Sequence, residues 1–162
     1  MKYRGAEVRL LYRGVSEEMF SKTGGLLIPK KLGRFEYQFC YDEPGLTYDS
    51  GAMYGSTTEN AVVRHQLNQE GFETAGISTT PNRSRAEYYA TASYQKQSGY
   101  IFVIDRSKLD AHEVREYIVN KHVTSPAVPE DEEVILVAKD GGVLPSEIIL
   151  EVVPFGVQQL VR

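Results

Sequence analysis

Apolar and polar residues alternate at the start of the chain. Between Glu7 and Val15, the side chains of Val8, Leu10 and Tyr12 fall on one face, which predicts a strand. Ser16 follows as a helix cap. Glu17 and Glu18 suit the first turn of a short helix through Phe20 and Lys22, and Gly24-Gly25 ends it. Residues 26–57 hold Gly, Pro and many Tyr without a period and predict a long loop. Thr58 opens a helix to about Asn68, with Val62, Val63 and Leu67 facing the core. The next strand is predicted over Phe72 to Thr79. Thr80-Pro81 has the form of a cap followed by a first-turn proline, and Ser84-Arg85-Ala86-Glu87 offers a competing capping box. In either register the helix runs to about Lys96 and buries Ala86, Tyr89, Ala90 and Tyr94.

Tyr100 to Asp105 is apolar enough for a central strand. Residues 107–119 read as a turn and a short helix. Val134–Ala138 and Ile148–Val153 read as strands on either side of Lys139-Asp140-Gly141-Gly142, which has turn chemistry. Strands outnumber helices and cluster late, which predicts an α+β fold over a doubly wound one. No repeat or linker divides the chain, so residues 1–162 are expected to form a single domain.

Charge narrows the partners. A net charge of −4 gives no support to broad electrostatic attachment to nucleic acid, although Arg83-Ser84-Arg85 offers a local basic patch. The single cysteine, Cys40, excludes an intrachain disulfide, and between Phe39 and Tyr41 it reads as a buried, inert thiol. No apolar run reaches membrane-spanning length, and Met1-Lys2-Tyr3-Arg4 leads into no secretory segment. No membrane insertion is expected. His65, His112 and His122 lack metal-ligand spacing, so no metal is expected either. Neither a GxGxxG nor a GxxxxGK motif is present. The abundant tyrosines read as packing residues.

Three separated fragments carry chemistry. Arg13 stands at the end of a strand, beside Gly14, which permits close backbone approach; a guanidinium there can clamp a phosphate. Its plainer reading is a solvated strand-end arginine. Ser78-Thr79-Thr80 ends a strand and starts a helix, so its hydroxyls either cap the helix or orient a nearby carboxylate. In Glu130-Asp131-Glu132-Glu133, an extended backbone would turn Asp131 and Glu133 to one side and Glu132 to the other. Glu133 abuts Val134-Ile135-Leu136 at the mouth of a buried strand. A carboxylate there can bind a ribose hydroxyl and stabilise positive charge developing on the sugar, as glycosidases do. The plainer reading is a solvated acidic loop after Pro126 and Pro129.

Taken together and in order, these fragments resemble the mono-ADP-ribosyltransferases with an Arg…Ser-Thr-Ser…Glu-x-Glu signature, in particular the cholera-toxin-like branch. The likeness runs through Leu11-Tyr12-Arg13, Ser16, Gly24-Gly25-Leu26, Pro29, Tyr48-Asp49, Val63-Arg64-His65 and the strand into Ser78-Thr79-Thr80. It continues through Tyr100-Ile101-Phe102-Val103-Ile104, Glu133-Val134, Gly141-Gly142-Val143 and Ser146-Glu147-Ile148. The resemblance implies two packed, mostly antiparallel sheets flanked by helices around an NAD+ cleft. It implies that Arg13 anchors the NAD+ phosphates, that Ser78 bonds the catalytic glutamate, and that Glu133 contacts the nicotinamide ribose. Backbone at Tyr12 or Gly14 would hold the carboxamide, and Thr79 and Thr80 would complete the binding segment.

Two positions depart from the family pattern. Thr80 replaces the second serine, and Asp131 stands where the family has Glu, which goes with arginine acceptors, or Gln, which goes with others. A register that pairs Glu130 with Glu132 is the alternative. By the resemblance the chain is a secreted or delivered toxin domain acting in the target-cell cytoplasm. The resemblance implies a macromolecular acceptor, protein before nucleic acid, and the logic of a toxin implies a cognate immunity protein in the producing cell. The other readings are an NAD+ glycohydrolase and an inactive ribosyltransferase fold used for binding.

Overall fold

A computed structural model describes residues 9–33, 35, 74–123 and 126–160. The expected helix 58–68, Cys40, Tyr48-Asp49 and Val63-Arg64-His65 lie outside these residues, as do most of loop 26–57 and residues 1–8. The strands are β1 (Leu10–Ser16), β2 (Ile77–Thr79), β3 (Ser98–Asp105), β4 (Arg115–Ile118), β5 (Val134–Val137) and β6 (Ile149–Gly156). The helices are α1 (Glu17–Thr23), α2 (Arg83–Ala90) and the single turn α3 (Val119–His122). The strands form two antiparallel three-stranded sheets, ordered β1-β3-β6 and β2-β5-β4. The fold is α+β, as expected.

Both central strands are the apolar runs that the sequence marks. Ile101 to Ile104 and Val134 to Val137 are buried. Alternation then sorts their side chains into layers. Leu11 and Val15 of β1, Phe102 and Ile104 of β3, Ile77 of β2, and Val134 and Leu136 of β5 share one core cluster, so the two sheets pack face to face. Ile101 and Phe155 instead face outward, where Ala86 and Ala90 of α2 cover them. On the far side, Ile135 and Val137 pack with Val119 and Phe35.

Helix α1 follows its sequence signals. Ser16 Oγ accepts from the Met19 amide at 3.1 Å, and Gly24 ends the helix at φ 63°. Three expectations need correction. Residues 107–119 contain strand β4 rather than only a turn and helix. Helix α2 starts after Asn82 and stops at Ala90, six residues short of Lys96. Its end is set by Thr91, whose hydroxyl bonds back to Glu87 O at 2.9 Å and accepts from the Tyr94 amide at 3.1 Å. Ala92, Ser93 and Tyr94 then take positive φ, a turn of the opposite hand that costs about 1–2 kcal/mol per residue. Ala86 and Ala90 are buried as predicted, but Tyr89 and Tyr94 are 41% and 43% exposed.

Helix α2 lies unusually close to β1. A β-carbon on Gly14 would stand 1.8 Å from Ala86 O, and one on Gly99 would stand 1.9 Å from Ala90 O. The contact atoms are backbone, so they cannot swing aside. Gly14→Ala is therefore expected to cost more than the roughly 1–3 kcal/mol of ordinary overpacking. Leu136→Ala, at a fully buried position between the sheets, is expected to cost about 2–5 kcal/mol. Denaturant unfolding checks both, and a Gly14→Ala protein of wild-type stability would contradict the close approach.

Candidate active site

Among the described residues, the two sheets meet through one backbone bridge. Tyr12 and Thr80 form an isolated antiparallel bridge, with Tyr12 N donating to Thr80 O at 2.8 Å and Thr80 N donating to Tyr12 O at 2.9 Å. Arg13, one residue along, lies on the same face of β1 as the buried Leu11 and Val15. Its Nη1 donates to Ser78 O at 2.9 Å. The guanidinium is largely withdrawn from water, which lowers its pKa, and the Glu133 carboxylate opposes that shift. An arginine so placed still carries its charge at neutral pH.

The β2–β5 register brings the acidic residue to this point. Ser78 pairs with Ile135 and Thr79 with Val134, so continuing by one residue puts Glu133 beside Thr80. Thr79 Oγ1 donates to Val134 O at 2.7 Å, and Thr80 Oγ1 donates to Asp131 O at 2.6 Å. Both threonines are buried, and their protons serve the protein's own backbone. Glu133 O in turn accepts from the Val119 amide at 3.0 Å. The structure thus brings Arg13, Ser78 and Glu133 to one junction between the sheets.

The acidic run is not extended. Pro129–Asp131 form a 3-10 turn, and Glu132 is left-handed at φ 46°, ψ 48°. Alternation therefore does not set its side chains, and Asp131 does not follow Glu133. Asp131 is buried, with Arg85 Nε on Oδ1 at 2.7 Å and the Tyr89 hydroxyl donating to Oδ2. Glu132 points elsewhere, accepting from Asn82 Nδ2 at 3.0 Å, and Glu130 is exposed.

A family model described as NarE matches residues 10–136, a span that begins with β1 and includes Arg13, Ser78, Asp131 and Glu133. The chain belongs to the NarE family. That family is ADP-ribosyltransferase-like, and NAD+ is the co-substrate that it implies. No curated protein matches the chain. Among the described residues of this NarE-family protein, no group of three His, Cys, Asp or Glu side chains is placed to hold a metal, and no helix is long and apolar enough to cross a membrane.

Some placements in the NarE-family chain differ from the sequence expectation. Thr80 is not the cap of α2. The cap is Asn82, and Thr80 Oγ1 accepts from the Asn82 amide at 3.0 Å, so its hydroxyl acts before the helix begins. Gly14 does permit close approach, and α2 is the element that approaches. The amide and carbonyl of Tyr12 are both engaged by Thr80. Antiparallel alternation turns the backbone groups of Gly14 to that same edge, beyond the bridge. Arg85 and Tyr89, which hold Asp131, belong to none of the three sequence fragments. Their spacing of four, on one face of a helix, is the signal that links them. A separate groove lined by Gly33, Arg115, Lys139 and Asp140 sits at the other end of β5, since Arg115 pairs with Val137.

Burial and the bond to Asp131 push the Tyr89 phenol up to about 12. The unfolded phenol titrates near 10, so the folded state holds its proton more tightly between the two values. That contribution is fully present below pH 10 and is lost as pH rises through 12. Melting temperature should therefore fall more steeply over this window in the wild type than in Tyr89→Phe. Parallel curves would show that Tyr89 is not bonded in this way.

Proposed function

We propose that the protein transfers ADP-ribose from NAD+ to a macromolecular acceptor and releases nicotinamide. The observation that carries the reading is the convergence at the Tyr12–Thr80 junction, where Arg13 bonds Ser78 O and feels the charge of Glu133. Among the described residues, Arg13 commits one N–H to Ser78, which leaves a fork of donors suited to an NAD+ phosphate. The charges also match the ligand, with a cation for the diphosphate and an anion close by for the sugar.

In the reaction, Glu133 accepts a hydrogen bond from the nicotinamide ribose and stabilises the positive charge that grows on the ring as the glycosidic bond lengthens. The bonding electrons leave on the nicotinamide nitrogen, which departs neutral. The acceptor's lone pair then bonds the anomeric carbon, and the acceptor loses its proton. Ser78 orients the Glu133 carboxylate, and backbone at Gly14, on the edge beyond the Thr80 bridge, holds the carboxamide. The role of Thr79 and Thr80 is to seat β2 and β5 rather than to touch the dinucleotide, since their hydroxyl protons are already used.

The likeness to the cholera-toxin-like branch extends the proposal to a toxin or effector domain acting inside a target cell, with an immunity protein covering the cleft in the producer. A net charge of −4 favours a protein acceptor over a nucleic acid. Water as acceptor is the second reading. It draws support from Asp131, whose carboxylate oxygens are occupied by Arg85 and Tyr89.

Incubation with NAD+ should release nicotinamide, and label on the adenylate should appear on protein. Glu133→Gln is expected to lower nicotinamide release by at least about 100-fold, the scale for losing one electrostatic stabiliser of a transition state. Arg13→Lys keeps a charge but not the fork, so it should mainly raise the KM for NAD+. No nicotinamide release from the folded wild-type protein would overturn the proposal.

A further inference from the structure

Five contacts tie the Glu130–Glu132 turn to the segment after β2. Thr80 Oγ1 donates to Asp131 O at 2.6 Å, and Asn82 Nδ2 donates to Glu130 O at 3.1 Å and to Glu132 Oε2 at 3.0 Å. Arg85 Nε donates to Asp131 Oδ1 at 2.7 Å, and the Tyr89 hydroxyl donates to Oδ2. The last two take one oxygen each of a buried carboxylate, so this is not the exposed kind of pair that contributes little. Arg85 is held in turn by stacking, 4.3 Å over the Tyr88 ring and 5.5 Å over the Tyr89 ring. At the end of the turn, Glu132 adopts φ 46°, which an L residue keeps only where its surroundings impose it. Glu133 follows it. The chain's approach to Glu133 is therefore set by a clamp on one side, while the β5 ladder and the Val119 amide hold it on the other.

We infer that Arg85 and Tyr89 are positioning residues for Glu133, acting through Asp131, and that the Asp131 carboxylate neither recognises nor deprotonates the acceptor. The inference rests on the proposed function for the role of Glu133. A carboxylate with one oxygen on a guanidinium and the other on a phenol is already committed to the protein's own side chains. Acceptors that need a carboxylate at this position, such as a protonated guanidinium, are accordingly disfavoured relative to neutral nucleophiles.

The test uses NAD+ alone, with water as acceptor. Asp131→Asn and Tyr89→Phe should each lower kcat for nicotinamide release about 10-fold with KM for NAD+ little changed, because a small misplacement of a reacting group costs rate before binding. The double variant should be no worse than Asp131→Asn, since the residues act as one unit. A residue serving only the acceptor would leave this release at the wild-type level in Asp131→Asn, and that result overturns the inference. If Asp131→Asn does not fold, Tyr89→Phe carries the same test, with its kcat unchanged as the contrary result. Amide exchange gives a readout independent of catalysis. Tyr89→Phe should speed exchange over residues 131–134 while leaving Tyr100–Ile104 protected, and unchanged exchange over 131–134 would also overturn the inference. A wild type that releases no nicotinamide would sink the proposed function instead, and the exchange result would then decide the clamp by itself.

Discussion

The pair of backbone hydrogen bonds between Tyr12 and Thr80 is the constraint on which the site depends. Two sheets packed face to face by apolar side chains alone are free to slide, because hydrophobic contact has no direction. A backbone bridge has direction and a single register. It fixes the edge of β1 against the end of β2, and Arg13 and Ser78 lie on the same side of it, within hydrogen-bond reach of each other. The β2–β5 ladder then carries that register to Glu133. Three residues separated by 65 and 55 positions share one junction because of one bridge and one short ladder.

Helix α2 seals the arrangement from outside. Its backbone comes so near β1 and β3 that only glycine fits at Gly14 and Gly99, and small Ala86 and Ala90 form its buried stripe. The same closeness puts Arg85 and Tyr89 within reach of Asp131. The helix that packs sheet β1-β3-β6 thus also holds the acidic turn of the second sheet. Packing and electrostatics are coupled through a helix of eight residues.

What was legible in the sequence is what local signals specify. Ser16, Glu17, Glu18 and Gly24 set out a capped helix within nine residues, and α1 follows them. The apolar runs around Ile101–Ile104 and Ile135–Leu136 could only be interior strands. Arg13, Ser78 and Glu133 were readable as a set from the apolar runs around them and from the family resemblance; only Glu133 flanks its strand, whereas Arg13 stands in the middle of β1 rather than at a strand end. Strand β4 was not legible, since Arg-Glu-Tyr-Ile is an edge sequence whose exposed Glu116 is held by Arg106 at 2.8 Å and whose apolar alternation is faint. The early end of α2 depends on Thr91 bonding back into the helix. The conformation of the acidic run depends on partners 46 and 42 positions away, which no local pattern records.

A crystal structure of the Glu133→Gln protein with NAD+ bound tests the central claim most directly. The account predicts the diphosphate against the Arg13 guanidinium and the nicotinamide ribose beside residue 133, at the Tyr12–Thr80 bridge. A dinucleotide seated elsewhere, for instance along the groove by Lys139 and Asp140, would contradict it.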